Sequence, residues 1–350
     1  MEGLIELGRQ DMDPSRRGVL GAGLFSVALT IPGWPDVLGR MEAFKTGRAT
    51  RIGMPEVDMV IDMTAKVSEL VDLFGGRHTR PMAAAFMVNT VADYLGADAS
   101  DDVRKAMMAA ASDLSYLTGY MAVDEGLHGL AQRYYVKALE LAGASGDHLT
   151  YCRTLRGMSV QAVDLGHGPK AMDLADAAAA ASPAAGPRLR AFIAGQQAHA
   201  AAQTGDRTGA FRYLREAEAA IDRAESRGKT VGRYDPAALN YHISQVRYEL
   251  GDTTGSIEAM QQADRLRHSV YRRIRVQRRG TLAERQLKVG HLEAACETWT
   301  SALDEWPMVQ SGRADDRMRT MVELIRPHTK NAHARALYEQ ARTVLPASMH

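Results

Sequence analysis

The sequence is poor in aromatic residues and in cysteine. Aromatic residues make up 6% of the 350 positions, and the two cysteines, Cys152 and Cys296, are far apart and form no CxxC pair. This argues against a disulfide framework or a cysteine-based metal site, and we expect both thiols to be reduced and buried. The net charge of +1 argues against a polyelectrolyte binder, although local charged patches remain open.

The apolar stretch SRRGVLGAGLFSVAL at 15–29 is too short to span a membrane. Pro32 and Pro35 end it after about 15 residues, whereas a transmembrane helix needs roughly 20. The paired Arg16 and Arg17 resemble a twin-arginine export signal, but no A-x-A cleavage site follows them. We therefore expect a cytoplasmic protein, with twin-arginine export as the alternative.

Catalytic and metal-binding motifs are also missing. Neither HExxH nor GxSxG occurs, and the histidines have no metal-ligand spacing, so we expect no cofactor and no metal. No segment of useful length alternates apolar and polar residues as a strand would. Alanine, leucine, glutamate and arginine, which favour helices, are abundant. The predicted fold class is therefore all-α.

The sequence does contain a recurring pair of spacings between small residues. In GLAQRYYVKALELA, residues 129–142, Ala131 and Ala138 lie seven residues apart among bulky side chains, and Gly119 lies twelve residues before Ala131. Helices that cross at such points can approach closely, because a side chain larger than a methyl group would separate them. Five sets share the spacing, each around a glycine turn: Gly119/Ala131/Ala138, Ser159/Ala171/Ala178, Ala198/Ala210/Ala217, Ser244/Ser256/Ala263 and Ala283/Ala295/Ala302.

These positions match the small residues at 8, 20 and 27 of the 34-residue tetratricopeptide consensus. Successive sets are 40, 39, 46 and 39 residues apart, and most of the excess over 34 falls in linkers. The sequence therefore predicts a tetratricopeptide-repeat-like superhelix, an α-α solenoid with atypical capping helices. We assign 1–54 to an N-terminal apolar and linker segment, 55–100 to N-terminal capping helices, and 101–350 to repeats and a C-terminal cap.

A superhelix of hairpins has a concave groove lined by the first helix of each pair. Consensus positions 2, 5, 9, 12 and 13 point into it and here carry aromatic, amide and charged side chains, which suit a peptide or a small polar ligand. The alternative is that these side chains are merely exposed or bridge adjacent hairpins. The predicted groove residues are Tyr116, Tyr120, Asp124, Arg153, Arg156, His199, Tyr241, Gln245, Tyr248, Gln277 and Glu284.

A basic run, RLRHSVYRRIRVQRR at 265–279, contains seven arginines and no acidic residue. Arg272, Arg275 and Arg279 share one side of a helix and could form a basic patch for an acidic peptide or a nucleic-acid backbone. The interpretation that we favour is a solvated face paired with acidic residues of neighbouring helices.

Four segments, RRGVLGAGLFS, RIGMPEVDMVIDMT, LFGGRHTR and GLHGLAQRYYVKALELA, resemble the tetratricopeptide regulators of actinomycetes, which are XRE-type helix-turn-helix proteins with a helical-repeat sensor domain. The resemblance covers about residues 15–345. Family members place a DNA-binding domain before the paired arginines, and here few residues precede Arg16, so we expect that domain to be missing. The resemblance then implies a stand-alone sensor or interaction domain, and it implies that RRGVLGAG is a linker rather than an export signal.

Three functions follow from these observations. The leading hypothesis is a non-enzymatic regulator or adaptor that binds a peptide, a small signal or a partner protein in the groove; a homodimer through the apolar segment 18–34 stays open. The second is an enzyme that modifies a peptide or natural product, with His199 as base and Tyr241 or Tyr120 as proton donor. The third, less favoured, is nucleic-acid binding through the arginine run, which would weaken steeply with salt.

Overall fold

The computed structural model describes residues 2–13, 51–181, 185–225 and 234–349. Arg16, Arg17 and the apolar segment 18–34 lie outside these ranges. The chain forms two compact units: unit 1 comprises Met1–Leu70 and Gly76–Ala185, and unit 2 comprises Val71–Gly75 and Gly186–His350. The division of the sequence at residues 54 and 100 stays a prediction.

Every regular element in the described ranges is helical, apart from one isolated bridge between Arg51 and Asp98. The first eight helices are α1 (Glu2–Met12), α2 (Met54–Phe74), α3 (Gly76–Phe86), α4 (Ala92–Gly96, joined to α3 by the π-helical turn Met87–Val91), α5 (Asp101–Asp124), α6 (His128–Ser145), α7 (His148–Asp164) and α8 (Gly168–Ala181). Unit 2 continues with α9 (Pro187–Gln203), α10 (Arg207–Glu225), α11 (Pro236–Glu249), α12 (Thr253–Leu266), α13 (Arg272–Lys288), α14 (Leu292–Glu305), α15 (Gly312–Ile325) and α16 (Ala332–Val344). Within these ranges, no helix has both the length and the apolar character that crossing a membrane requires.

The predicted hairpins are present. Helices pair as α5–α6, α7–α8, α9–α10, α11–α12 and α13–α14, and within each unit consecutive hairpins stack, as α6 does on α7 and α12 on α13. The chain is therefore an all-α, tetratricopeptide-like solenoid, as the spacing of small residues predicted.

The small residues lie where the paired helices cross, and all fifteen positions of the five predicted sets are buried. A methyl group added at Gly119 would come within 2.9 Å of the Tyr135 ring. At the first small position of two hairpins the side chain is serine, and its hydroxyl donates across the crossing to a carbonyl of the partner helix: Ser159 to Ala171 and Ser244 to Ser256, each at 2.7 Å. The close approach is therefore direct, with no bulky side chain between the helices.

Each hairpin turns at a glycine whose φ is positive, between 75° at Gly126 and 86° at Gly251. At the first turn the Leu127 N–H donates to the Ala122 carbonyl at 2.9 Å and the Gly126 N–H donates to the Val123 carbonyl at 3.1 Å. This pair of bonds ends the helix in a left-handed residue, a conformation that glycine adopts without steric cost. The turn geometry explains why glycine recurs at the same place in all five sets.

The segment that we assigned to an N-terminal linker contains a helix, α1, which packs against α3 and α6. Leu4, Leu7 and Asp11 are buried along one of its faces, at the i, i+3 and i+7 spacing of an amphipathic helix. The Asp11 carboxylate forms an ion pair with buried Arg80 and accepts a hydrogen bond from the Tyr134 hydroxyl at 3.0 Å. The sequence analysis did not predict this helix, because its amphipathic pattern is short and occurs only once.

The last two helices, α15 and α16, continue the core of unit 2. Met318, Met321 and Ile325 of α15 are fully buried with Trp299 of α14 and Leu337 of α16 in one apolar cluster. Helices α15 and α16 therefore cover the preceding hairpin of unit 2, and their assignment to a C-terminal cap stays a prediction.

Helix α8 offers a matched test of the crossing points. Ala178 is fully buried at a crossing position, whereas Ala180, two residues later, is exposed. We expect Ala178→Leu to lower the free energy of unfolding by about 1 to 3 kcal/mol, because overpacking forces the helices apart. Ala180→Leu should change it by less than about 0.5 kcal/mol. Urea denaturation followed by circular dichroism measures both, and equal effects of the two variants would contradict the packing argument.

Candidate ligand-binding faces

The first-helix face of unit 1 is formed by α5 and α7. Tyr116 of α5 contacts two arginines of α7: the guanidinium carbon of Arg153 lies 5.4 Å from the ring centroid, and Arg156 Nη2 donates to the hydroxyl at 3.4 Å. Arg153 also forms an ion pair with Asp113, whose carboxylate accepts a hydrogen bond from Thr150 at 3.1 Å. Three predicted groove residues are thus in contact, and the charge of Arg153 is neutralised within the face.

The other predicted residues of unit 1 lie toward the end of α5, where Tyr120 is half-buried and Asp124 is buried. On the neighbouring helix α7, burial raises the pKa of the Cys152 thiol to about 12. Burial also raises the pKa of the Cys296 thiol in unit 2. Both cysteines are free and buried, and a thiol that stays protonated at neutral pH is a poor nucleophile.

The first-helix face of unit 2 combines tyrosines of α11 with cations of α13. Tyr241 and Tyr248 lie seven residues apart on one side of α11, and Arg278 and Arg285 have the same spacing on α13. Each guanidinium carbon lies 4.2 Å from a ring centroid, Arg278 over Tyr241 and Arg285 over Tyr248. Lys288 Nζ lies 4.7 Å from the Tyr248 centroid and 3.0 Å from its hydroxyl. We call these five side chains the tyrosine–cation ladder.

Arg285 is the buried member of the ladder, with 4% of its surface exposed. Its Nη1 donates to the Ser244 and Ser256 hydroxyls at 2.7 and 2.6 Å, and its Nη2 donates to the side-chain carbonyl of Gln245. Burial lowers the pKa of Arg285, but a guanidinium remains charged at neutral pH. The positive charge is therefore held by neutral partners.

Two further predicted residues connect α13 to the start of α15. Glu284 accepts two hydrogen bonds from Arg317 Nη1, at 2.9 and 2.8 Å. Gln277 Nε2 donates to Ser311 at 3.1 Å, and Ser311 caps the N-terminus of α15. These two contacts match the alternative interpretation of the groove residues, in which their polar side chains bridge neighbouring elements of the repeat.

The residues of the enzyme hypothesis have separate partners. His199 is buried on α9, and its Nε2 lies 3.8 Å from a Glu249 carboxylate oxygen. Tyr241 lies against Arg278 and against the ring of His242, at 5.7 Å between centroids. No hydrogen bond between described residues joins His199 to Tyr241, and no group of three His, Cys, Asp or Glu side chains in the described ranges could hold a metal ion.

A tyrosine–histidine pair that the sequence analysis did not identify lies elsewhere in unit 2. The Tyr234 hydroxyl is 2.8 Å from His242 Nδ1, and both residues are buried. They press against α9 at Gly195, where an added methyl group would come within 2.5 Å of the His242 ring. The pair packs Tyr234 and the N-terminal half of α11 onto α9.

Two arginines of the predicted basic patch are paired with acidic residues of neighbouring helices. Arg275 forms an ion pair with Glu305 at 2.7 Å, and Arg279 contacts Asp264 at 3.1 Å and Glu305 at 2.9 Å. Arg272, the third member, is half-buried at the first position of α13. These contacts of Arg275 and Arg279 match the interpretation that we favoured from the sequence, in which the arginines pair with acidic residues of neighbouring helices.

No protein-family model and no curated protein matches the sequence. Among solved structures, the chain is similar to a Rap protein complexed with competence and sporulation factor, at 14% identity over 82% of this chain and 98% of that chain, with a TM-score of 0.44. It is also similar to the TPR domain of P58(IPK), at 15% identity over 82% of this chain and 88% of that chain, with a TM-score of 0.22. These likenesses are too distant to indicate a ligand for this chain.

The His199–Glu249 contact predicts a pH dependence of stability. Interaction with the His199 ring is the main cause that lowers the pKa of the Glu249 carboxyl from 4.5, and partial burial opposes it. A lowered folded-state pKa means that ionised Glu249 stabilises the fold above the unfolded value, and that this contribution disappears as the pH falls through the folded value.

We therefore expect Glu249→Gln to reduce the free energy of unfolding at about pH 7 and to have a smaller effect at about pH 3. Urea denaturation at both pH values measures the difference. Glu339→Gln, at an exposed position of α16, is the control and should behave like the wild type. A loss of stability in Glu249→Gln that is independent of pH would show that the contact with His199 is not electrostatic.

Proposed function

We propose that this protein is a non-enzymatic regulator or adaptor that binds a peptide or a peptide segment of a partner protein on its first-helix faces. The observation that carries the proposal is the tyrosine–cation ladder. Its rings and cations come from two successive hairpins, and Tyr241, Tyr248 and Lys288 are partly exposed. Aromatic surfaces with fixed polar groups bind ligands at a low entropic cost and define their register.

The dimensions of the ladder suit an extended peptide. Residues seven apart on an α-helix are separated by about 10.5 Å along its axis. In a peptide in the extended polyproline II conformation, residues three apart are separated by about 9 Å and their side chains point to the same side. A peptide that runs along α11 could therefore contact Tyr241 and Tyr248 with side chains three residues apart. A compact metabolite would contact one of the two rings.

The regulatory part of the proposal is supported by the resemblance of the sequence to the XRE-type tetratricopeptide regulators of actinomycetes. In such an arrangement, the helical repeat holds a signal and changes the partner that it contacts. A ligand that binds a repeat protein acts by stabilising the conformation that it binds best. The chain would thus act as a sensor or adaptor, with the ligand selected by the ladder.

The test is selection of binding peptides followed by matched substitutions. A display library of random twelve-residue peptides is selected on the purified full-length chain, and an enriched peptide is synthesised with a fluorescent label. We expect Tyr241→Ala to weaken its binding by about tenfold, because the lost contact between this ring and a peptide side chain contributes about 1 to 2 kcal/mol. Fluorescence anisotropy measures the affinity, and circular dichroism checks that helicity is unchanged.

Tyr213→Ala is the control, because Tyr213 also has a guanidinium 4.5 Å from its ring, that of Arg212, but lies on α10, the second helix of its hairpin. It should leave the affinity within about twofold of the wild type. Failure to enrich any peptide, or equal losses in the two variants, would remove the basis for assigning ligand binding to the first-helix face.

A further inference from the structure

The hairpin α11–α12 departs from the others at its crossing point. It carries serine at both of the first two small positions, Ser244 and Ser256, where the other four sets carry at least one alanine. The Ser244 hydroxyl donates to the Ser256 carbonyl at 2.7 Å, and both hydroxyls accept a hydrogen bond from Arg285 of the next hairpin. Methyl groups at these positions would serve the packing equally well but would remove the two hydroxyl acceptors of Arg285 Nη1. The two serines therefore hold a buried positive charge in place.

The positive charge of Arg285 forms no ion pair with a carboxylate of the described residues. Among the described residues, no acidic side chain lies within 4.0 Å of the Arg285 guanidinium or of Lys288 Nζ. The two carboxylates that act on Arg285 electrostatically, Glu249 and Glu284, are engaged elsewhere: Glu249 with His199, and Glu284 with Arg317. A desolvated cation without an ionic partner is costly, and an incoming anion would relieve that cost.

We propose that Lys288 and Tyr248, with Arg285 behind them, form a receptor for a single carboxylate of a peptide on the unit 2 face. This inference rests on the proposed function and specifies the ligand as an acidic peptide. Exposed Lys288 and the Tyr248 hydroxyl are the groups that contact the carboxylate. Arg285 supplies a second positive charge and fixes the Tyr248 ring.

A carboxylate fits the site better than a phosphate. Sites for phosphate use several donors at once, often arginine forks or the backbone N–H groups of a helix N-terminus. Here Arg285 has already committed both terminal nitrogens to protein acceptors. That leaves Lys288 and one hydroxyl for the ligand.

The Tyr241 ring suggests what flanks the carboxylate. It lies two helical turns before Tyr248, and Arg278 packs against it. The ring lies three residues of a polyproline II peptide away from the anion site and offers that peptide an aromatic surface. The preferred sequence is therefore an acidic residue with an apolar or aromatic residue at the third position from it.

A double-mutant cycle tests the site. The fluorescent peptide from the library selection is compared with a copy in which its acidic residue is replaced by the matching amide, on the wild-type chain and on Lys288→Gln. We expect the amide peptide to bind the wild type about tenfold more weakly, and to bind Lys288→Gln with less than about twofold loss relative to the acidic peptide. Lys330→Gln, an exposed lysine of the same unit, is the control and should retain the tenfold preference.

The outcomes separate the two proposals. Enriched peptides without an acidic residue, or an equal loss for the amide peptide on the wild type and on Lys288→Gln, would overturn the carboxylate site while peptide binding stands. A peptide with phosphoserine at the acidic position that binds more than about tenfold tighter would also overturn it in favour of a phosphate site. If no peptide is enriched, the proposed function fails and the carboxylate site fails with it.

Discussion

The close approach of paired helices at residues with almost no side chain is the constraint on which the rest of the structure depends. At about 8 to 10 Å between axes, side chains at the crossing must be small, and the positions that satisfy this are buried in all five hairpins. Because only small side chains fit at those positions, the long and polar side chains lie on the remaining sides of the first helices. The packing therefore decides which residues can form a binding face.

The crossing of α11 and α12 shows how a packing position can also serve a site. Serine is nearly as small as alanine, so Ser244 and Ser256 keep the helices close. Their hydroxyls add acceptors that a methyl group lacks, and Arg285 from the following hairpin uses both. A guanidinium buried without such acceptors would lose its hydration with no compensation. The tyrosine–cation ladder thus depends on two buried residues that lie beneath it.

The sequence was sufficient to predict the hairpins, because the small-residue spacing and the glycine turns are local and repeat five times. It was less informative about the site. Tyr241 and Tyr248 could be predicted from their consensus positions, and Lys288 occupies position 13 of its repeat and could have been found in the same way. Arg285 lies at position 10, which does not face the groove in the consensus. In the sequence, only the paired serines set this hairpin apart. Their role as acceptors for Arg285 depends on a contact between residues about 40 positions apart.

Helix α13 illustrates why composition alone does not reveal a binding site. Its N-terminal part belongs to an arginine-rich run that could be interpreted as one basic patch. The arginines of the helix nevertheless differ in the side chains that they contact. Arg275 and Arg279 meet acidic side chains of other helices, whereas Arg285 meets hydroxyls and an amide. Only the second kind leaves a positive charge that a ligand could neutralise. The ligand class that we propose therefore follows from where acidic partners are lacking among the described residues, and not from the net charge of +1 for the whole chain.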